Sequence, residues 1–311
     1  MMLADQIAYV ALVSHDPAAT ASVFERHFRL TRRELSSAAG PVPVFALGRS
    51  AFAMFPPGHP LVEGETRPGV HSIALGVDDL AAAVARAAAA GVPAADAAPA
   101  PGLDGRRLRR LARDATVGVR TVLTERLALA PHAEGPVQRI DHVGVASTDV
   151  REDEATFCGR LGFAIESRQT DMEVSLAVES FTSDTYGVVY HSRPPEPVGG
   201  LRVAFITVGD CELEFLANFD PRQKGEVHPG RAGNTRQDQG AIARFVASQG
   251  RGLHHVAVKS PDIDALLGSM AAAGLPMIDT RGRPGSRRAL IGFPHPRALG
   301  GVLMHLVQRP D

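Results

Sequence analysis

The side chains best placed for chemistry in this chain are histidines set in short apolar strands. Ile140-Asp-His-Val-Gly144 carries His142, and Leu253-His-His-Val-Ala257 carries His254 and His255. Strand alternation puts His142 on the face of Ile140 and Gly144. Superposing the second stretch matches His255 with His142 and leaves His254 on the opposite face with Asp141. A small residue follows two places after each matched histidine, Gly144 and Ala257, leaving space above the imidazole. Cys211-Glu-Leu-Glu-Phe215 points Glu212 and Glu214 to one face, and Val302-Leu-Met-His-Leu306 carries His305. Imidazole and carboxylate together suit a first-row divalent metal, so Fe, Co, Ni, Mn and Zn all qualify as the cofactor. His305 fits as ligand or as base. Glu212 and His254 are expected beside the ligands or facing solvent.

The elements that must position these groups form a repeat. Residues 252 to 266 read as a histidine-bearing strand, a polar turn with Pro261 and the start of an amphipathic helix. Residues 6–24, 69–84 and 139–157 repeat that order, each with a Ser/Asp-rich turn able to cap a helix. Gly91, Gly162 and Gly274 stand where helices would exit. Further strands are predicted at 42–47, 51–55 and 118–127. The four units cover roughly 6–58, 69–130, 139–219 and 252–309, with 130–136 (APHAEGP) as the linker. Excess length in the third interval lies at 169–200 and 220–239, expected to be binding loops or lids over the site.

Composition removes several classes. Lys plus Arg number 33 against 34 Asp plus Glu, so no charge excess calls for nucleic acid. No run of eighteen apolar residues argues for a membrane span. The first residues lack a basic stretch followed by a long apolar core, which makes the cytoplasm the expected compartment. Cys158 and Cys211 have neither metal-type spacing nor a disulfide framework.

A strand, a helix and three strands, used four times, resembles the vicinal oxygen chelate superfamily, which includes glyoxalase I, methylmalonyl-CoA epimerase and extradiol dioxygenases. The resemblance covers nearly the whole chain as a pattern. It is most specific in AIARFVASQGRGLHHVAV (241–258) and GFPHPRALGGVLMHLVQ (292–308), which look like methylmalonyl-CoA epimerases. It implies an α+β fold of four βαβββ units in two domains: residues 1–130 without a metal site and 137–311 with one. It also implies ligands from four strands, here His142, Glu214, His255 and His305. The last departs from the family, which normally has glutamate there and links it to proton transfer in the epimerase. Glu196 lies about where that group carries another catalytic glutamate and is the expected general base. In the first half the same superposition gives Tyr9, Met54 and Ser72, with Glu125 in fourth place and His71 matching His254. One ligand of four does not hold a metal.

Three functions follow from this resemblance. A metal-dependent isomerase or epimerase would stabilise the enolate of a carbonyl or acyl-CoA substrate. An Fe(II) extradiol-type or 2-oxo-acid dioxygenase would use two histidines and one carboxylate. A metal-free small-molecule binding protein is the third. The favoured partner is a small molecule with vicinal oxygens, larger than methylglyoxal if the two insertions wall the cup. Arg106–Arg113 and Arg281–Arg288 could hold a carboxylate or CoA phosphates, or simply form solvated hairpins. Family members often associate through their sheets, implying a homodimer, although two fused domains can satisfy that pairing within one chain.

Overall fold

The computed structural model describes residues 2–132, 134–175, 177–219 and 240–309. Asp16, Asp79, Asp149 and Asp262 each cap a helix, accepting a hydrogen bond from a backbone N–H of its first turn. The four caps sit at one place in four equivalent stretches, because each strand must hand the chain to a helix within a few residues.

The first sheet contains β1 (Ile7–Val13), β2 (Arg32–Leu35), β3 (Val42–Leu47), β4 (Ser50–Phe55), β5 (Gly69–Val77), β6 (Ala100–Pro101), β7 (Arg107–Arg110) and β8 (Thr121–Glu125). Helix α1 (Pro17–Arg26) follows β1, and α2 (Leu80–Ala89) follows β5. The spatial order is β2-β3-β4-β1-β5-β8-β7-β6. Each unit therefore returns its last strand parallel to its first, and the two first strands meet antiparallel at the centre.

The second sheet repeats that order. It contains β9 (Arg139–Ser147), β10 (Ala164–Ser175), then β11 (Val178–Ser183) and β12 (Gly187–Ser192) as an inserted two-stranded sheet. It continues with β13 (Glu196–Val208), β14 (Cys211–Phe219), β15 (Gly252–Lys259), β16 (Arg283–Pro284), β17 (Leu290–Gly292) and β18 (Met304–Gln308). Its helices are α3 (Val150–Glu154), α4 (Ala241–Gln249) and α5 (Ile263–Ala272). The order is β10-β13-β14-β9-β15-β18-β17-β16. The fold is thus α+β, with two eight-stranded sheets of βαβββ units. Among the described residues, no helix is long and apolar enough to cross a membrane.

One sequence expectation changes here. The stretch 169–200 is largely strand: β10 and β13 run on past the sheet as a ladder from Ala164↔Thr207 to Ser175↔Glu196, and β11 pairs with β12 beyond it. The stretch 220–239 lies outside the described residues.

Alternation along the central strands sorts the packing. In the first half Leu12, Phe24, Phe52 and Met54 belong to one buried cluster that continues through Val143, Phe157 and Leu306 of the second. Tyr9, Val13, Phe55, Leu103 and Leu108 fill the other face of the first sheet. The halves also meet at Gly300, whose carbonyl accepts from the His15 N–H at 2.9 Å. Gly300 has φ +58°, and a Cβ there would overlap the Ser14 hydroxyl, which is fully buried and bonded to Thr20 Oγ1 at 2.8 Å. Gly300→Ala should cost roughly 2–4 kcal/mol, combining left-handed backbone strain with overpacking. Gly64→Ala, with φ +73° and open space around it, carries only the backbone part. Calorimetric melting temperatures check this; equal losses would remove the packing contribution.

Candidate metal centre

The second sheet brings His142, His255 and His305 together. Strand β9 pairs antiparallel with β15, placing His255 opposite Gly144 and Ala257 opposite His142. Strand β18 runs parallel to β15 and sets His305 against Ala257. On the other side β14 runs parallel to β9, with Glu212 against His142 and Glu214 against Gly144. The small residues are where rings must pass: a Cβ on Gly144 would overlap the His255 imidazole.

All three histidines and Glu214 are buried. Each histidine offers one ring nitrogen within 4.8 Å of the other two. Glu214 Oε2 lies 3.3 Å from His142 Nε2 and 3.2 Å from His255 Nε2. Ligands held at 2.0–2.2 Å around one tetrahedral cation stand about 3.4 Å apart, so these separations match a shared ion. His142 Nε2 and His305 Nδ1 are buried without hydrogen bonds. Orphaned buried nitrogens are what a cation would satisfy, and three imidazoles, with the Glu214 carboxylate beside two of them, suit a first-row divalent metal.

The surroundings orient the cluster. His142 Nδ1 lies 2.7 Å from Asp141 Oδ1, and Asp141 has no solvent exposure. Arg139 holds the other Asp141 oxygen at 3.1 Å, while Arg309 bonds the first. A carboxylate behind an imidazole fixes its tautomer and raises its basicity, as around metal-bound histidines. Burial disfavours a charged His142, but Glu214 and Asp141 outweigh it and hold the ring up to about 9. Burial also opposes a charged Glu214, yet His142 and His255 keep it well below the usual carboxylate range. Burial, reinforced by His142 and His255, pushes His305 well below the ordinary imidazole range. The pocket therefore favours one positive charge between His142 and Glu214 and resists a second.

These groups form the floor of a cavity of about 460 Å³ with largely apolar walls, including Phe205, Leu216, Ile291 and Phe293. That volume is in the range of small-molecule sites. Ala241 and Ile242 of α4 close one side, and Phe245 packs edge-on against His254, with ring centroids 4.9 Å apart. Arg287 lies in the wall with its guanidinium 3.5 Å from the Phe205 ring centre, bonded to Glu212 at 2.6 Å and Glu166 at 2.8 Å. Its backbone is left-handed, φ 54°, a conformation costing about 1–2 kcal/mol for a residue with a side chain.

Several expectations change. A register shift between Leu253 and His255 breaks the alternation, so His254 lines the same cavity as His255 instead of the opposite face. Glu212, opposite His142 in the sheet, faces Arg287 and Arg309. In the first sheet the observed register puts Ala53 beside Ala11, as Glu214 stands beside Gly144, and Val122 beside Ala74, as His305 stands beside Ala257. The positions are thus Tyr9, Ala53, Ser72 and Val122; Met54 is in the core, and Glu125 is bonded to Arg107. Glu196 pairs through its backbone with Ser175 at the far end of β13, about 30 Å of strand from Phe205. Its side chain lies outside the described residues.

Sequence reasoning missed Asp171. It lies on β10, lines the cavity and accepts a hydrogen bond from Gln169. Burial, with Glu214 nearby, raises its carboxyl above the usual range despite that bond. Its only signal was its place in the first insertion, where no motif marks it.

Residues 141–293 match the family model for the Glyoxalase/Bleomycin resistance protein/Dioxygenase superfamily. The match covers 153 of the 311 residues, just under half of the chain, and makes that part similar to the vicinal oxygen chelate proteins. Mitochondrial methylmalonyl-CoA epimerase of Mus musculus is 26% identical over 129 residues, covering 42% of this chain and 64% of that protein, less than two thirds of its length. A triple mutant of 4-hydroxymandelate synthase from Streptomyces coelicolor is 17% identical and superposes with TM-score 0.63, covering 99% of this chain and 93% of that one. Methylmalonyl-CoA epimerase from Mycobacterium tuberculosis is 22% identical with TM-score 0.38, covering 59% and 93%.

Gly144→Ala should displace the His255 ring and lower divalent-metal binding at least tenfold while the fold persists. Metal titration followed by circular dichroism checks both; undiminished affinity would show that the ring has room elsewhere.

Proposed function

We propose that this chain is a metal-dependent isomerase acting on a carbonyl compound or acyl-CoA through an enolate. The observation that carries the reading is the convergence of His142, His255, His305 and Glu214 on the floor of an apolar cavity that Asp171 also lines. Those four side chains would hold the metal. A divalent cation bound there would supply Lewis-acid polarisation of the substrate carbonyl.

The protein's own groups do the rest. Asp141, buried and held by Arg139 and Arg309, keeps His142 in one tautomer with Nε2 turned to the cluster. Phe205, Leu216, Ile291 and Phe293 exclude water, which strengthens every charge interaction on the cavity floor. In a 2-hydroxy carbonyl substrate, Asp171 takes the proton from the hydroxyl-bearing carbon and returns it to the former carbonyl carbon, while the hydroxyl proton passes to the other oxygen. Its raised carboxyl suits both halves of that transfer better than an ordinary aspartate would. One base moving one proton gives isomerisation; inversion at a single carbon would need a second donor on the substrate's other side. Asp171 replaces Glu196 as the base in this reading because it lines the cavity.

One observation favours a second reading. His142, His255 and Glu214 by themselves make a two-histidine, one-carboxylate set, the kind that binds Fe(II) in oxygenases. Elemental analysis of the natively purified protein, beside His255→Ala, separates the readings. Near-stoichiometric cobalt, nickel, manganese or zinc, lost in the variant, supports the isomerase, and solvent deuterium should then enter 2-oxo or acyl-CoA compounds. Asp171→Asn should slow that exchange by about 10²–10⁴-fold with metal content unchanged. Iron with oxygen uptake on catechols or 2-oxo acids would replace the isomerase by the dioxygenase. Wild-type protein that stays empty after metal soaking would overturn both.

A further inference from the structure

The first sheet has a cleft of its own, about 210 Å³, at the place where the second sheet gathers its histidines. Ser72 and Val122, the register counterparts of His255 and His305, line it. Its chemistry is inverted. Where the second sheet collects imidazoles and a carboxylate, this cleft collects Arg110, Arg113 and Arg120 around His71.

His71 is 4% exposed, and neither ring nitrogen has a hydrogen bond. It occupies the same irregular step of its strand as His254, beside the register shift between Ala11 and Leu12. Glu63 sits in the middle. Its carboxylate is 3.8 Å from His71 Nε2, 3.5 Å from Arg110 Nε and 3.5 Å from Arg120 Nε. One oxyanion thus stands within ion-pair range of three donors, at the long end of that range.

Glu63 is also free to leave. Its side chain is 48% exposed, and its backbone, φ 54°, ends a short 3-10 turn. The other carboxylates are spoken for: Asp96 lies 3.6 Å from Arg110, and Glu65 lies 3.5 Å from Arg120 and 3.2 Å from Arg67. Arg113 is held by the carbonyls of Gly118 and Arg251, at 3.0 and 3.1 Å. Among the described residues no carboxylate lies within ion-pair distance of it. Its charge is therefore left over at the rim. Two donors with loose partners, one guanidinium without a counter-charge and a buried imidazole with both nitrogens unused make an electropositive cradle.

We propose that this cleft binds a small oxyanion, a carboxylate or phosphate group, which takes the place of the Glu63 carboxylate between Arg110 and Arg120. The ligand gains charge-assisted bonds from the guanidinium groups and one from His71, while Glu63 moves into solvent. The site is separate from the metal cluster and does not depend on the isomerase reading.

Isothermal titration of the full-length protein with inorganic phosphate, and separately with malonate, tests this. Saturable one-to-one binding of either probe is expected, and the probe that binds identifies the oxyanion. Arg120→Ala should weaken it at least tenfold, as loss of a charge-assisted contact does. Glu63→Gln, which removes the competing charge, should tighten it by a similar factor. His255→Ala should leave it unchanged. Should Arg120→Ala fail to fold by circular dichroism, Arg113→Gln at the rim provides the same reading. Binding that survives the arginine variants, or disappears in His255→Ala, overturns the proposal, as does no binding to both wild type and Glu63→Gln.

Discussion

The antiparallel pairing of β9 with β15 is the constraint on which the second half depends. It fixes His255 opposite Gly144 and His142 opposite Ala257, so each imidazole crosses over the small residue of the other strand. Strands β14 and β18 add parallel to the outer sides of this pair and deliver Glu214 and His305 in the same register. A one-residue slip would turn these side chains to the opposite face. The register in turn is anchored by the apolar residues between the histidines: Val143, Val145, Val256 and Val258 are fully buried on the other side. Packing on one face therefore positions chemistry on the other.

The charged layer beneath the cluster belongs to the same construction. Asp141 is fully buried and meets Arg139, Arg309 and His142, while Glu212 meets Arg287 and Arg309. A buried carboxylate without such partners would be too costly to keep ionised. With them, Asp141 remains below its ordinary range despite burial, and it supplies the negative field behind His142. Arg287 links this layer to the cavity wall, which accounts for a left-handed arginine lying flat on Phe205.

The first sheet shows what the same frame does with other side chains. It has the same strand order, the same capping aspartates and the same central antiparallel pair. Its open face is packed with Tyr9, Phe55, Leu103 and Leu108, and the aligned positions hold a phenol, two apolar groups and a hydroxyl. Burial raises the Tyr9 phenol to about 12, partly offset by Arg110, so it stays a neutral packing group. What polar chemistry remains is concentrated around His71 and its arginines.

Much of this was legible in the residues. Period-two alternation set out β9, β14 and β18, the Ser/Asp turns marked all four helix starts, and the small residues after His142 and His255 foretold the crossing of the rings, because these signals are local and covalent spacing alone carries them. Other features required the folded chain. The register shift that brings His254 round to His255 depends on how β15 meets β9, and alternation within one strand cannot contain it. Ala53 and Val122, rather than Met54 and Glu125, take the aligned places because pairing with β1 and β5 sets the offset. Asp171 enters the cavity because pairing sets it opposite Leu201, another residue of the cavity wall. By itself the sequence determined the repeated unit and which residue types could meet. Tertiary structure decided which of them do, since register and burial are properties of strands in pairs.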